Sequence, residues 1–202
     1  FSLLMGAGRT LGEALVAHPA IKAVGFTGSR QGGLALVAIA NSRPEPIPVY
    51  AEMSSINPVF LFPAALARRA EAIGQGFADS LTMSAGQFCT NPGLVLAIDG
   101  PGLQRFVQAA SEALAKKSAQ TMLTSGIHTA YQAGEEKMAA TPGVQKLARG
   151  TGAGELQNAA EAALFITDAQ TMLTHSDLDS EVFGPASLIV RVRDMDELLA
   201  VA

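Results

Sequence analysis

Residues 57–99 read "NPVFLFPAALARRAEAIGQGFADSLTMSAGQFCTNPGLVLAID", and their patterning decides the fold class. "NPVFLFP" is a short apolar run closed by proline, the pattern of a strand. Leu66, Ala70, Ile73, Phe77 and Leu81 then recur at steps of four and three, which is one face of a helix. Gly74 and Gly76 fall inside that helix, where glycine either weakens the segment or admits a close neighbour. "GLVLAID" returns to a strand. A strand, a helix and a second strand in succession predict parallel pairing.

The alternation extends both ways. Upstream, Thr10 and Glu13 in "TLGE" have the spacing of a capping box. They predict a helix with Leu11, Ala14 and Leu15 on one face, stopping before His18-Pro19. "KAVGFTG" reads as a buried strand ending in a glycine turn, and "SRQGGLALVAIANS" as a helix. "NSRPEPIPVYAEM", with three prolines, reads as a connection into a strand. Downstream, Leu103, Phe106, Val107, Ala110 and Leu114 make a second helix face, and "ALFIT" and "ASLIVRV" are strands. Asp194 and Glu197 form a cap-like pair for a terminal helix. "TSGIHTAYQAGEEKMAATPG" and "RGTGAGELQNAAE" are rich in Gly, Ala and Thr and carry no clear period. The expected fold class is α/β, with a mainly parallel sheet flanked by helices and no internal repeat. Active sites in such sheets gather at the carboxyl ends of the strands.

Hydrophobic residues make up 49% of the 202, and charged residues 16%, enough apolar material for a core and too little charge for a disordered chain. A net charge of −4 with scattered Lys and Arg leaves no basic patch for nucleic acid. No apolar run reaches the ~18 residues of a membrane span. The single cysteine cannot form an internal disulfide, which fits a reducing compartment, and a cytoplasmic protein is expected. No histidine pair or acidic run has metal-ligand spacing, so no metal is expected. "FSLLMGAGRT" opens without a leader or an initiator Met, and "DMDELLAVA" stops within a helix, so a partial chain is expected.

The lone cysteine sits in "GQFCTNPG", between a helix and a strand. A turn there presents the Cys89 side chain and a backbone N–H together, so that a thiolate attacks a carbonyl while the N–H holds the oxyanion. The bland alternative is a buried, inert cysteine. Glu52 follows "IPVYA" at a strand end. With partial burial a carboxylate there deprotonates water; otherwise it is a surface glutamate. Gly28 and Ser29 close the "FTGS" strand, where a tight turn meets a phosphate oxygen or simply reverses the chain. "MGAGRTLG" is not a G-x-G-x-x-G fingerprint.

"FTGSRQGG", "AEMSSINPVF", "GQFC" and "EVFGP" stand in that order, with 37 residues from Glu52 to Cys89 and 92 from Cys89 to Glu181. In order and spacing, the chain resembles the aldehyde dehydrogenase superfamily along nearly its whole length. The longer form "GQFCTNPG" resembles the branch of α-ketoglutaric semialdehyde and NADP-linked fatty aldehyde dehydrogenases. The resemblance implies the tail of a cofactor domain over 1–51 and a truncated catalytic domain over 52–202. It implies Cys89 as nucleophile and Glu52 as general base. Gly28, Ser29 and Gly33 would serve the cofactor turn, with Gly33 letting the next helix pack close. Glu181 and Phe183 would grip the nicotinamide ribose of NADP or NAD. The substrate implied is a short oxo-acid semialdehyde such as 2-oxoglutarate semialdehyde, or else a fatty aldehyde. The full enzyme would be a homo-oligomer. Ser54 and Ser55 depart from the two glycines usual in the family, which would admit close approach of backbone and nicotinamide. The Asn that completes the oxyanion hole would lie upstream of Phe1, and pocket and assembly segments beyond Ala202, so these residues alone are expected to be inactive. The competing readings are a nucleotide-binding module with Cys89 merely buried, and a non-catalytic scaffold.

Overall fold

The computed structural model describes residues 1–6, 8–152 and 154–202. They divide into two compact units, Phe1–Ser54 and Ser55–Ala202. The first carries α1 (Gly8–Ala17), β1 (Val24–Thr27), α2 (Arg30–Ser42) and β2 (Val49–Glu52). β1 and β2 pair in parallel with Thr27 opposite Glu52. Val16, Ala40 and Ile47 are buried between these elements. The start of α1 differs from expectation. The helix covers Gly8–Ala17, so Thr10 lies inside its first turn and not ahead of it. Its packed face runs through Gly12 and Val16, leaving Ala14 and Leu15 exposed. The reason is contact with α2: a Cβ on Gly12 would lie 4.0 Å from the Leu36 side chain.

The second unit contains β3 (Pro58–Leu61), α3 (Pro63–Thr82), β4 (Leu94–Ile98), α4 (Pro101–Leu114), β5 (Gln120–Thr121) and α5 (Ser125–Ala140). It continues with β6 (Gln145–Arg149), β7 (Ala159–Ala160), β8 (Ala163–Asp168), α6 (Ala169–Thr174), β9 (Ala186–Val192) and α7 (Met195–Val201). The sheet order is β3-β4-β9-β8-β6, parallel throughout except for β6 at one edge. The expected α/β class with a mainly parallel sheet is therefore what the chain forms. Both faces of the sheet are covered, which is why its strands read as continuous apolar runs. Leu94, Leu96, Leu188 and Val190 point into one core, and Val95, Ala97 and Ile189 into the other. The second core is closed by α3 and α4. Phe77 and Phe106 meet edge-on there with centroids 5.5 Å apart. A Cβ on Gly74 would lie 2.8 Å from the Phe106 carbonyl oxygen, so that glycine serves helix approach.

The first stretch without a readable period is α5. Its buried residues are Tyr131, Glu135 and Met138. The carboxylate on the core face breaks the apolar pattern, and Lys146 pairs with it at 2.6 Å. Thr124 caps the helix, its hydroxyl accepting from the Ile127 amide at 3.1 Å. The second stretch supplies β7, which pairs antiparallel with β5.

Candidate active site

The Cys89 turn precedes β4, and the Glu181–Pro185 turn precedes β9. Both therefore lie at the amino ends of parallel strands. The expected placement at carboxyl ends describes the candidates Gly28, Ser29 and Glu52 of the first unit but not the candidates Cys89, Glu181 and Phe183 of the second.

The chain leaving α3 does not run directly to Cys89. Ser84 (φ 50°), Ala85 (φ 56°) and Gly86 (φ 66°) are successive left-handed residues. For Ser84 and Ala85 this costs about 1–3 kcal/mol each, and such strain persists only where surrounding structure holds it. Side-chain amides supply the hold. Gln120 accepts from the Ala85 amide at 3.0 Å and donates to the Thr82 carbonyl at 2.9 Å. Gln87 donates to the Ser84 carbonyl at 3.0 Å and accepts from the Leu123 amide at 3.0 Å. Beyond the cysteine, Asn91 donates to the Leu81 carbonyl at 3.1 Å, and Asn57 to the Thr90 carbonyl at 2.9 Å. Cys89 itself is exposed, which removes the buried-cysteine alternative. Because Ser84 is exposed and left-handed, Ser84→Gly is expected to raise stability by roughly 1 kcal/mol. Chemical denaturation of both forms checks this; a lower midpoint would show that the serine side chain is needed.

Gly86 connects this turn to the next one. A Cβ there would lie 2.5 Å from both Gly184 O and Pro185 N, so the backbones of "GQFC" and "FGP" touch where only glycine fits. On the other side of that turn, any side chain on Gly184 would collide with the Tyr131 ring. Tyr131 donates its hydroxyl to the Glu161 carbonyl at 2.6 Å. Burial, and then the neighbouring Glu135 carboxylate, push the phenol well above its ordinary pKa, so it stays a donor. The two turns share a small hollow lined by Ser55, Phe88, Asn91, Glu181 and Phe183. The structure thus brings Glu181 and Phe183 together with the neighbours of Cys89. Glu181 accepts from the Ser55 amide at 3.3 Å through Oε1, which leaves Oε2 as an acceptor for a hydroxyl.

The first unit gathers Gly28, Ser29, Gly33 and Glu52. The Gly28 amide donates to the Glu52 carbonyl at 3.1 Å, tying the "FTGS" turn to the end of β2. Glu52 is exposed, so this unit does not supply the burial expected of a base. Ser29 is the N-cap of α2 and accepts from the Gly32 amide at 3.2 Å. Its hydroxyl hydrogen remains free to donate to a phosphate oxygen at the positive end of the helix dipole. Gly33 is buried, but its neighbour is not the next helix: a Cβ there would lie 2.5 Å from Met53 Sδ. Ser54 has a local partner, its Oγ accepting from the Arg30 amide at 3.2 Å. The polar groups in each unit fit parts of a nucleotide, with Ser29 able to donate to an anion and Glu181 able to accept from a hydroxyl.

Gln120, Tyr131 and Asn57 escaped sequence reading. Each acts through a backbone atom far along the chain, and no local spacing marks such a partner.

The sequence model described as "Aldehyde dehydrogenase family" matches residues 1–202. The chain is 63% identical over 201 residues to alpha-ketoglutaric semialdehyde dehydrogenase 2 of Azospirillum brasilense, covering 100% of this chain and 38% of that protein. It is 41% identical over 200 residues to alpha-ketoglutaric semialdehyde dehydrogenase of Acinetobacter baylyi, covering 98% of this chain and 38% of the relative. The chain thus spans less than half the length of these curated relatives. Among solved structures, a NAD-dependent benzaldehyde dehydrogenase from Corynebacterium glutamicum superposes with TM-score 0.78 at 18% identity, over 98% of this chain and 42% of that one. Proline utilization A from Bdellovibrio bacteriovorus gives TM-score 0.80 at 21% identity, over 98% and 21%. At these identities the structural likeness shows the fold.

Proposed function

The chain belongs to the aldehyde dehydrogenase family, and on that premise we propose that it forms the nucleophile-bearing part of an enzyme that oxidises an aldehyde to a carboxylate. Residues 1–51 are the end of its cofactor domain and 52–202 part of its catalytic domain. The observation that carries the reading is an exposed Cys89 in a strained, braced turn whose neighbours line one hollow with Glu181 and Phe183. The identity to two α-ketoglutaric semialdehyde dehydrogenases favours a short oxo-acid semialdehyde over a fatty aldehyde as substrate. The enzyme is proposed to be cytoplasmic and homo-oligomeric. No helix among the described residues is long and apolar enough to cross a membrane.

NADP or NAD, when bound, supplies the two-electron acceptor. In the first unit Ser29 at the head of α2 would hold a phosphate of that cofactor, and in the second Glu181 and Phe183 would hold a ribose. Cys89 Sγ attacks the aldehyde carbon, and the developing oxyanion takes a hydrogen bond from the turn's own backbone amide. The sulfur keeps the acyl group in place as a thioester after oxidation. Glu52 then accepts a proton from water, the hydroxide adds to the thioester carbon, and the Cys89 thiolate leaves.

Glu52→Gln tests the division of labour. Removing the base is expected to slow acid release by about 10²–10⁴-fold and to let an acylated Cys89 accumulate, visible by intact mass. Acid release at the unaltered rate would take Glu52 out of its role.

A further inference from the structure

We propose that Gln120 is the positioning residue of the nucleophile turn, holding the strained backbone that sets where the Cys89 sulfur points. This rests on the reading of Cys89 as nucleophile. The Gln120 amide bridges Thr82 O at 2.9 Å and the Ala85 amide at 3.0 Å, and so brackets the entry into the left-handed run at Ser84, Ala85 and Gly86. Its orientation is fixed by chemistry. Ala85 N–H is a donor and Thr82 C=O an acceptor, so only one placement of the amide oxygen and nitrogen satisfies both.

The residue is itself well anchored. Gln120 lies opposite Ala160 in the β5–β7 pair. The flanking amides of Ala119 and Met122 donate to Thr151 O at 3.1 Å and Asn158 O at 2.9 Å. Met122 is buried, and Leu123 gives its amide to Gln87 at 3.0 Å. Residues 119–123 therefore form a rail beside the segment 82–87, attached to it by two glutamine side chains. A helix that ends at Thr82 would otherwise relax its next residues towards right-handed geometry, the lower-energy state for Ser84 and Ala85. Such a relaxation swings every residue that follows, Cys89 included. An ångström of misplacement at a reacting atom is worth about 10²-fold in rate.

The test uses the enzyme as it occurs, with whatever chain flanks residues 1–202. Gln120→Ala is expected to lower kcat for aldehyde oxidation about a hundredfold, with the Kd for NADP or NAD changed less than about twofold. Gln120→Glu adds a readout that a purely structural role would not move. Its carboxylate accepts from Ala85 but cannot donate to Thr82 O, whereas the protonated acid does both. The ratio of the variant's acylation burst rate to that of wild type should rise as pH falls from about 8 towards about 5, approaching the carboxyl range near ~4.3. A Gln120→Ala enzyme with kcat within threefold of wild type overturns the proposal, and so does a Gln120→Glu ratio flat with pH. If Gln120→Ala does not fold, the Gln120→Glu profile decides. Cys89→Ala assayed alongside separates the two levels. An active Cys89→Ala enzyme sinks the nucleophile reading itself, and an inactive one with fully active Gln120→Ala sinks only the role of Gln120.

Discussion

Cys89→Ala is expected to lower aldehyde-dependent NAD(P)H formation by about 10⁴-fold or more while leaving the fold intact. The size follows from covalent catalysis, in which removing the nucleophile removes the route and not one interaction along it. The intact fold follows from exposure. Cys89 contributes no side chain to either core of its unit, and such surface changes usually stay within about 0.5 kcal/mol. The turn is held by the amides of Gln87, Asn91, Asn57 and Gln120 and not by the thiol. The measurement is the rate of nicotinamide reduction with a short oxo-acid semialdehyde, beside a thermal melt of each form. Substantial turnover by a well-folded Cys89→Ala enzyme would remove the thioester from the reaction.

Gly86→Ala is expected to be a strongly damaging single-methyl change. It adds a Cβ at φ 66°, and that atom would sit 2.5 Å from Gly184 O and Pro185 N. Both obstacles are backbone, so no rotamer change relieves them. Overpacking of this kind costs about 1–3 kcal/mol, and the left-handed conformation adds about 1–2 kcal/mol for a residue with a side chain. At roughly 2–4 °C per kcal/mol for a protein of this size, Tm should fall by about 10 °C. Activity should fall further than stability, because relief comes only by parting the Cys89 turn from the turn that carries Glu181 and Phe183. Differential scanning calorimetry and steady-state kinetics at a temperature where the variant is folded check both parts. A Tm within about 2 °C of wild type would mean that the two backbones are not in contact. Ser84→Gly, two residues earlier, is the opposite change, and the sign difference between the two isolates backbone strain from packing.

Much of the second unit was readable because its physics is local. From β3 to β4, strand and helix periods follow from which side chains face a core, and the five apolar positions counted on α3 all lie on its packed side. Cys89 and Glu181 were singled out through ordered motifs, not through periodicity. The reading broke where a local signal was overridden. Glu135 sits on the core face of α5 and erases its apolar stripe, yet Lys146, eleven positions later, makes that carboxylate tolerable. At α1 the Thr10–Glu13 spacing was present, but the helix started earlier and turned Val16 inward to meet its neighbours.

By itself the sequence determined the α/β class, the strand–helix–strand order around residues 57–99, and which residues to propose for the chemistry. Each of these depends on short-range periodicity or on a motif of a few residues. Only the tertiary structure decided at which end of the strands Cys89 lies, because that depends on how a connection folds back and not on its composition. It also decided which residues hold the turn in place. Gln120 reaches Ala85 across 35 positions, and Gly86 meets Gly184 across 98, since backbone groups left unpaired by a strained turn take whatever donor, acceptor or open space the rest of the fold brings to them.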